Sequence, residues 1–451
     1  MISIAELLGR TARSVAPGPR GHPFLGSLPE VRRDPIGLFL ESFRRYGEVV
    51  RFRFGPKIAH LISGPAGINH VLAENHRNYG KQTRGYRNLR YVLGNGLLTS
   101  EGDLWKRQRR IAQPAFHRQK IAGFGETMVR AARETAEALA ARRGETVDLH
   151  HEIMRLTLRI VGETLLGTDP TDSADEVGSA LAYLLPLANE RSSRVLELPP
   201  LFPTRENRRF RRELATLDAV VLRMIAERRK RPSDRGDLLS MLIEARDAET
   251  GEAMDDRQLR DETMTIFLAG HETTANALTY AFLLLSRYPA ALRDLRAELS
   301  QVLGGRTPGV EDLSRLTLTR RIVQEAMRLY PPAWIIARSA SGADEIGGFP
   351  IPAGSLVLIS PYVVHRHPGL WSNPEGFDPQ RFASEPARGA YLPFGAGPRM
   401  CIGSGFASME AELVLATLAR DLAFELPPGE PVELEPSITL RPKNGLAMTV
   451  R

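Results

Sequence analysis

Phe394-Gly395-Ala396-Gly397-Pro398-Arg399-Met400-Cys401-Ile402-Gly403 is the stretch on which the fold turns. Glycines and a proline rule out regular structure up to the cysteine, and the run Phe406 to Leu418 that follows is helix-forming. The pattern predicts a tight loop that delivers Cys401 to a helix N-terminus. There, unpaired N–H groups and the positive dipole end favour a thiolate. Glycines let backbone approach a flat ligand closely, and Arg399, two residues before the cysteine, can meet an anion on the same ligand. Cys401 is the one cysteine among 451 residues, so disulfide frameworks and Cys-rich zinc sites within the chain are excluded. A lone cysteine is either a small inert core residue or a reactive or ligating thiol. The ten-residue setting favours ligation.

Working outward, 42% hydrophobic and 25% charged residues exclude disorder, collagen and coiled coil. The chain carries 60 basic and 53 acidic residues, net +7. The basic residues are mostly arginine and are interleaved with acids, and no nucleic-acid module appears, so nucleic-acid binding is not expected. No apolar run reaches the roughly 18–20 residues of a membrane span. Met1 to Val15 lacks the apolar core and cleavage site of a signal peptide. It reads as a surface helix or frayed end in preference to a helix resting on a membrane. A bacterial, cytoplasmic protein is expected.

Residues 1–30 form an irregular lead-in, rich in Pro and Gly from Pro17 to Pro29. A helix follows over Pro35 to Tyr46. Val50, Phe52 and Phe54 alternate with Arg51 and Arg53, turn at Gly55-Pro56 and return through Ile58 to Ile62 as a β-hairpin. Residues 78–103, with Gly80, Gly85, Gly94 and Gly96, read as a long loop. From Leu104 to about Ser300 the apolar spacing is helical, with breaks at Pro114, Gly144, Pro170, Pro199-Pro200, Pro203 and Pro232. Asp256 to about Tyr288 has no proline and one glycine, and predicts a single helix of about 33 residues, about 50 Å long. Short strands return at Ile335–Ala337 and Ser355–Ile359, residues 366–400 are loop-like, and a last helix starts near Cys401. One domain over residues 1–451, mainly α with a small β-sheet, is expected.

Three further motifs carry chemistry. Glu325 and Arg328 lie at i,i+3 on one helix face, a spacing that alone describes a solvated pair. Ala269-Gly270-His271-Glu272-Thr273-Thr274 falls midway along the long helix. Its His271-Glu272 begins like a zinc-protease H-E-x-x-H, but position 275 is Ala, so the second ligand is absent. Read alone, this polar run is also compatible with core hydrogen bonding. Trp105 and Arg109 share a helix face at i,i+4.

The cysteine stretch resembles the haem-binding signature of the cytochrome P450 family, F-x-x-G-x-R-x-C-x-G, at every specified position. It continues as C-x-G-x-x-x-A-x-x-E through Gly403, Ala407 and Glu410. The other motifs resemble family elements in family order: W-x-x-x-R (Trp105, Arg109), A-G-x-[DE]-T-[TS], and E-x-x-R followed by Pro331-Pro332. Phe377-Asp378-Pro379-Gln380-Arg381-Phe382 resembles the family's P-E-R-F stretch, with Gln380 in place of glutamate and little consequence expected. The resemblance covers residues 16 to 451.

It implies heme b held by the Cys401 thiolate between the long helix and the cysteine loop. Phe394, Gly395, Ala269, Gly270 and Ala407 would lie against the haem. Trp105, Arg109, Arg338 and Arg399 would meet its propionates. His365 is a weaker candidate, better read as a loop scaffold. Glu272 and Thr273 would be the acid–alcohol pair that feeds protons to the oxygen being activated. Glu325, Arg328 and Arg381 would lock the core. Ala333, Trp334, Ile335, Ile336 and the 78–103 loop would line the substrate pocket. Lys106, Arg107 and Arg110 are either a basic face that steers an acidic redox partner or a solvated face.

The implied activity is monooxygenation of an apolar substrate (fatty acid, terpenoid, steroid or polyketide) with O2. With no dinucleotide fingerprint in the chain, electrons are expected from a separate ferredoxin or flavodoxin-type donor and its reductase. A peroxide-driven peroxygenase, a haem isomerase or dehydratase, and a non-catalytic haem sensor are the alternatives. Glu272-Thr273 argue against the isomerase.

Overall fold

The computed structural model describes residues 15–167, 174–194, 199, 201–230, 237–247 and 250–451. The chain forms two compact units, each built from separated stretches. The smaller comprises residues up to 84, 333–376 and 385–401; the larger comprises 85–332, 377–384 and 402–451.

The smaller unit is organised by the predicted hairpin. Val49–Phe54 and Lys57–Ile62 pair antiparallel, with Val50 opposite Leu61 and Phe52 opposite Ala59. Alternation buries Val50 and Phe52. Leu356–Ile359 joins Lys57–Ile62 in parallel, Ile336–Ala340 joins it antiparallel, and Tyr79–Gly80 ends the five-stranded sheet. Ile62, Ile68, Val71, Val357, Ile359 and Leu392 make its core. The helix Pro35–Tyr46 has the predicted bounds: the Asp34 carboxylate accepts the Gly37 N–H at 2.9 Å, Pro35 occupies the first turn, and the chain leaves at Gly47.

The larger unit is helical. Its longer helices are α1 (Gly102–Ala112), α2 (Gly125–Ala140), α3 (Leu149–Val161), α4 (Ala174–Ser193), α5 (Arg205–Lys230), α6 (Asp256–Arg287), α7 (Pro289–Leu303), α8 (Thr317–Leu329) and α9 (Ser404–Asp421). Helix α6 is the predicted long helix. Its 32 residues span about 48 Å at 1.5 Å each. The Asp255 side chain caps it by accepting the Gln258 N–H at 2.7 Å, and Pro289 forces Tyr288 out of the helical region. Buried on almost every side, α6 is the axis of the unit, with α3 packed along it.

The structure departs from the sequence reading in several places. Arg84–Leu93 is a helix where a loop was expected, and Leu28–Arg33 is helical inside the lead-in. Thr146–Asp148, in the stretch expected to be helical, is a strand. It pairs with Ala447–Val450, about 300 residues on, which no local pattern announces. Helix α9 begins at Ser404, near Cys401 as expected. The breaks at Pro170, Pro200 and Pro232, and the reading of residues 1–14, lie outside the described residues. Among the described residues no helix is long and apolar enough to cross a membrane.

Candidate active site

Between Leu259 and Leu285 every residue of α6 is buried except Arg260, Ala269, Gly270 and Thr273. Arg260 is ion-paired with Asp218. The other three, at i, i+1 and i+4, form one partly exposed stripe midway along a core helix, Ala269 exposed and Gly270 and Thr273 half-buried. Next to the stripe the backbone carbonyls carry extra donors. His271 Nδ1 contacts Phe267 O at 2.9 Å, the Thr273 hydroxyl donates to Ala269 O at 2.8 Å, and the Thr274 hydroxyl approaches Gly270 O at 3.3 Å. Such side-chain bonds to the i−4 carbonyl loosen a helix locally. Across from it, the Thr157 hydroxyl of α3 donates to His271 O at 3.0 Å and pins the segment. With its proton on Ala269 O, the Thr273 hydroxyl can donate to another group only after giving up that bond.

Glu272 is buried beside the stripe. Its Oε1 accepts the Thr439 hydroxyl at 2.7 Å. Asn276, one turn on, approaches Thr439 Oγ1 through Nδ2 at 3.3 Å, and His150 Nε2 contacts Asn276 Oδ1 at 2.9 Å. Burial pushes the pKa of His150 and of His271 below the ordinary imidazole range, so both rings are neutral near pH 7. Glu410 of α9 is wholly buried. Burial raises its carboxyl well above the usual carboxylate range, with the Thr274 hydroxyl acting against that shift.

The cysteine loop belongs to the smaller unit. It is a succession of turns: Gly395 N–H donates to Leu392 O at 3.1 Å, Met400 N–H to Gly397 O at 3.0 Å, and Cys401 N–H to Phe394 O at 2.9 Å. Gly397 is at φ +67°, and a Cβ there would strike the Leu72 carbonyl, so only glycine closes the loop. Cys401 is exposed, which removes the inert-core reading of the lone cysteine.

The structure separates the remaining candidates. Glu325, Arg328 and Arg381 come together at the buried centre of the larger unit. Arg328 Nε and Nη2 reach the carboxylate at 2.6 and 2.8 Å, Arg381 Nε at 2.9 Å, and the Asp378 N–H at 2.9 Å. Glu325 and Arg328 have 0% side-chain exposure, so the solvated-pair reading fails. Gln380 accepts from Arg321 on the exterior at 2.8 Å. Trp105 and Arg109 line a groove with Arg110, His117 and Lys120. Arg338 is buried, with Nη1 on the Ala337 carbonyl at 2.9 Å. His365 is fully buried and its Nε2 accepts the Leu392 N–H at 2.8 Å, the scaffold role.

Trp334 lies in the core, stacked on Phe39, whereas Ala333, Ile335 and Ile336 are half-buried. The supposed basic face is engaged within the unit: Lys106 with Asp103, Arg107 with the Ala253 carbonyl, and Arg110 with Asp247. Sequence reasoning missed Thr439, Asn276 and His150, which lie up to 167 positions from their partners, and also Glu262. Wholly buried on α6, Glu262 accepts the Leu97 N–H at 2.9 Å; burial, opposed by that bond, pushes its carboxyl to about 8.

Each unit by itself carries features that suit a thiolate-held haem: an exposed thiol on a glycine loop in the smaller, and a stripe of small residues on a core helix in the larger. The comparisons agree. The sequence model of the family described as Cytochrome P450 matches residues 16–448. Cyclooctatin synthase of Streptomyces melanosporofaciens is 41% identical, with 95% of this chain and 93% of that one covered. Pentalenene oxygenase of Streptomyces avermitilis is 35% identical, covering 94% and 92%. Cyclooctat-9-en-7-ol 5-monooxygenase of Streptomyces melanosporofaciens is 37% identical, covering 91% and 90%. The crystal structure of the cytochrome P450DA heme domain superimposes with a TM-score of 0.89 at 29% identity, over 97% of this chain and 98% of that one. The fold, the partly exposed stripe and these relatives converge: the chain belongs to the cytochrome P450 family, and it is a haem-thiolate monooxygenase that needs O2 and a redox partner.

Proposed function

We propose that the enzyme holds its haem through the Cys401 thiolate, moves protons through Glu272 and Thr273, and hydroxylates an apolar cyclic substrate of terpenoid type. Electrons come from a separate ferredoxin- or flavodoxin-type donor with its reductase, in the cytoplasm. The observation that carries the reading is the partly exposed stripe of Ala269, Gly270 and Thr273 in the otherwise buried middle of α6. Gly270 lets Val161 of α3 pack close, while the small Ala269 side chain is exposed and the Thr273 hydroxyl stands one turn on. The terpenoid class is supported by two of the relatives, whose names specify pentalenene and cyclooctat-9-en-7-ol, a hydrocarbon and an alcohol.

When bound, the haem supplies the oxygen activation and hydrogen abstraction that no side chain can perform. The chain holds, orients and protonates. Arg338, Arg399 and Arg109, with the indole N–H of Trp105, are the donors for the haem's two carboxylates. Phe394, Gly395, Gly403 and Ala407 offer slim or apolar contact. Glu272 takes protons from the exterior and passes them toward Thr273, whose hydroxyl hands them on after giving up its bond to Ala269 O. Ala333, Ile335 and Ile336 present apolar surface to substrate, while Trp334 supports them from the core. Arg328 and Arg381 brace the fold through Glu325. Lys106, Arg107 and Arg110 are each engaged within the unit, and of these the exposed Lys106 and Arg110 still offer charge to a partner, because a pair at the surface binds weakly.

The test is a spectral titration of the haem with cyclic terpenoids and fatty acids, followed by turnover with NAD(P)H, ferredoxin and reductase. The expected result is a ligand-induced spectral change and hydroxylated product with terpenoids. Turnover with hydrogen peroxide alone would establish a peroxygenase instead. A spectral change with no product under either regime would establish a sensor.

A further inference from the structure

We infer that Thr439 is the positioning residue of the proton-carrying acid: its hydroxyl, backed by Asn276 and His150, holds Glu272 by Oε1 and leaves Oε2 as the oxygen that exchanges protons. The inference rests on the proposed role of Glu272.

The direction of every bond in the chain can be worked out from one end. At one end the Thr439 hydroxyl donates to Glu272 Oε1 at 2.7 Å. Its hydroxyl proton is thereby spent, and the 3.3 Å contact with Asn276 requires the amide Nδ2 to donate to Thr439 Oγ1. That fixes the amide, and Asn276 Oδ1 then accepts from His150 at 2.9 Å. The His150 ring must therefore carry its proton on Nε2, as a neutral imidazole can. Three donors point one way, toward Glu272 Oε1. The chain draws on three separate elements: Glu272 and Asn276 at i,i+4 on α6, His150 in the first turn of α3, and Thr439 between the strands Leu434–Pro436 and Leu440–Pro442. The Thr439 loop is itself tied down, since the Leu440 N–H donates to Pro332 O at 2.9 Å.

The charges nearby do not do this work. Arg441, on the strand after Thr439, is paired with Glu435 at 2.7 Å. Asp148 caps α3 through the His151 N–H, and the His271 ring is bonded to its own helix at Phe267 O. Among the described residues Glu272 makes no salt bridge. A neutral donor therefore fixes the carboxylate without a counter-charge that would hold on to it as an anion. A carrier that must repeatedly gain and lose a proton needs that arrangement.

The test compares haem-loaded wild type, Thr439→Val, Thr439→Ser, Glu272→Gln and the double variant Thr439→Val/Glu272→Gln. Infrared difference spectra against Glu272→Gln isolate the Glu272 carboxylate stretch without turnover. Thr439→Val keeps the shape and loses the donor. It should shift that stretch and lower the maximal rate of product formation about ten-fold, as loss of one hydrogen bond to a charged group implies. Substrate affinity by spectral titration should not change. Thr439→Ser should restore both readouts, and the double variant should be no slower than Glu272→Gln. If Thr439→Val does not load haem, Asn276→Ala serves in its place, with the same shift in smaller measure. An unmoved stretch, or a Thr439→Val rate equal to wild type while Glu272→Gln is slow, overturns the inference and leaves the acid's role standing. A Glu272→Gln enzyme as fast as wild type removes the acid's role itself, and the infrared result then reports only the hydrogen bond.

Discussion

Glu325→Ala is the perturbation whose cost the structure specifies most closely. The Glu325 carboxylate gathers four donors on two oxygens: Oε2 takes Arg328 Nε, and Oε1 takes Arg328 Nη2, Arg381 Nε and the Asp378 N–H. Arg328 is 0% exposed and Arg381 7% exposed, so the substitution strips two buried guanidinium groups of their shared counter-charge. Removing one partner of a buried pair costs about 3–5 kcal/mol. Here a stripped backbone N–H adds to it, placing Glu325→Ala at the top of that range, about 5 kcal/mol. Arg328→Ala leaves the carboxylate held by Arg381 and the Asp378 N–H, and sits at the bottom, about 3 kcal/mol. Arg381→Ala leaves both Arg328 bonds in place and costs least. Against a total stability of about 5–15 kcal/mol, the first variant should yield little or no haem-loaded soluble protein. Urea denaturation followed by far-UV circular dichroism, with haem content per chain, gives the ranking. Wild-type midpoint and haem content in Glu325→Ala, or an Arg381→Ala variant weaker than it, would refute the reasoning.

Thr273→Ala should go on consuming NAD(P)H while product per NAD(P)H falls sharply and hydrogen peroxide rises, since positioned proton transfer is worth about 10²–10⁴-fold; a fully coupled variant would mean that protons arrive by another route. Glu262 has its carboxyl raised by burial from 4.5 to about 8, so the folded state holds a proton that the unfolded state has released in that window, and stability falls as pH rises through it. Glu262→Gln should flatten the fall in melting temperature between those limits, and an equal fall in both proteins would contradict the assignment. Ala333→Phe should change the product profile or exclude bulky ligands with the carbon monoxide spectrum unaltered; identical affinities and products would remove Ala333 from the substrate contacts.

Much of the architecture was legible because it rests on local signals. Asp34-Pro35 and Gly47 bracket one helix, and Tyr288-Pro289 ends another. The hairpin follows from alternation around Gly55-Pro56. The helix Arg84–Leu93 escaped because it buries only Asn88, Val92 and Leu93, too thin a stripe for a periodicity argument. Its stopping glycine, Gly94 at φ +63°, was counted as a loop signal. At the site, the cysteine loop and the Ala269-to-Thr274 motif are contiguous and could be read directly. The Glu272–Thr439–Asn276–His150 chain could not, because each link is a long-range contact between ordinary residue types. The same limit applies to Lys106, Arg107 and Arg110: a run of basic residues does not announce that Asp247 or the Ala253 carbonyl waits across the fold.

The central claim is that Cys401 is the sulfur that holds the haem iron, and the reduced carbon monoxide difference spectrum tests it most directly. Wild type should show the thiolate-type band, Cys401→Ala should lose it, and Cys401→His should convert it to the nitrogen-ligated type. A thiolate-type band persisting in Cys401→Ala, in a chain with no other cysteine, would contradict the account.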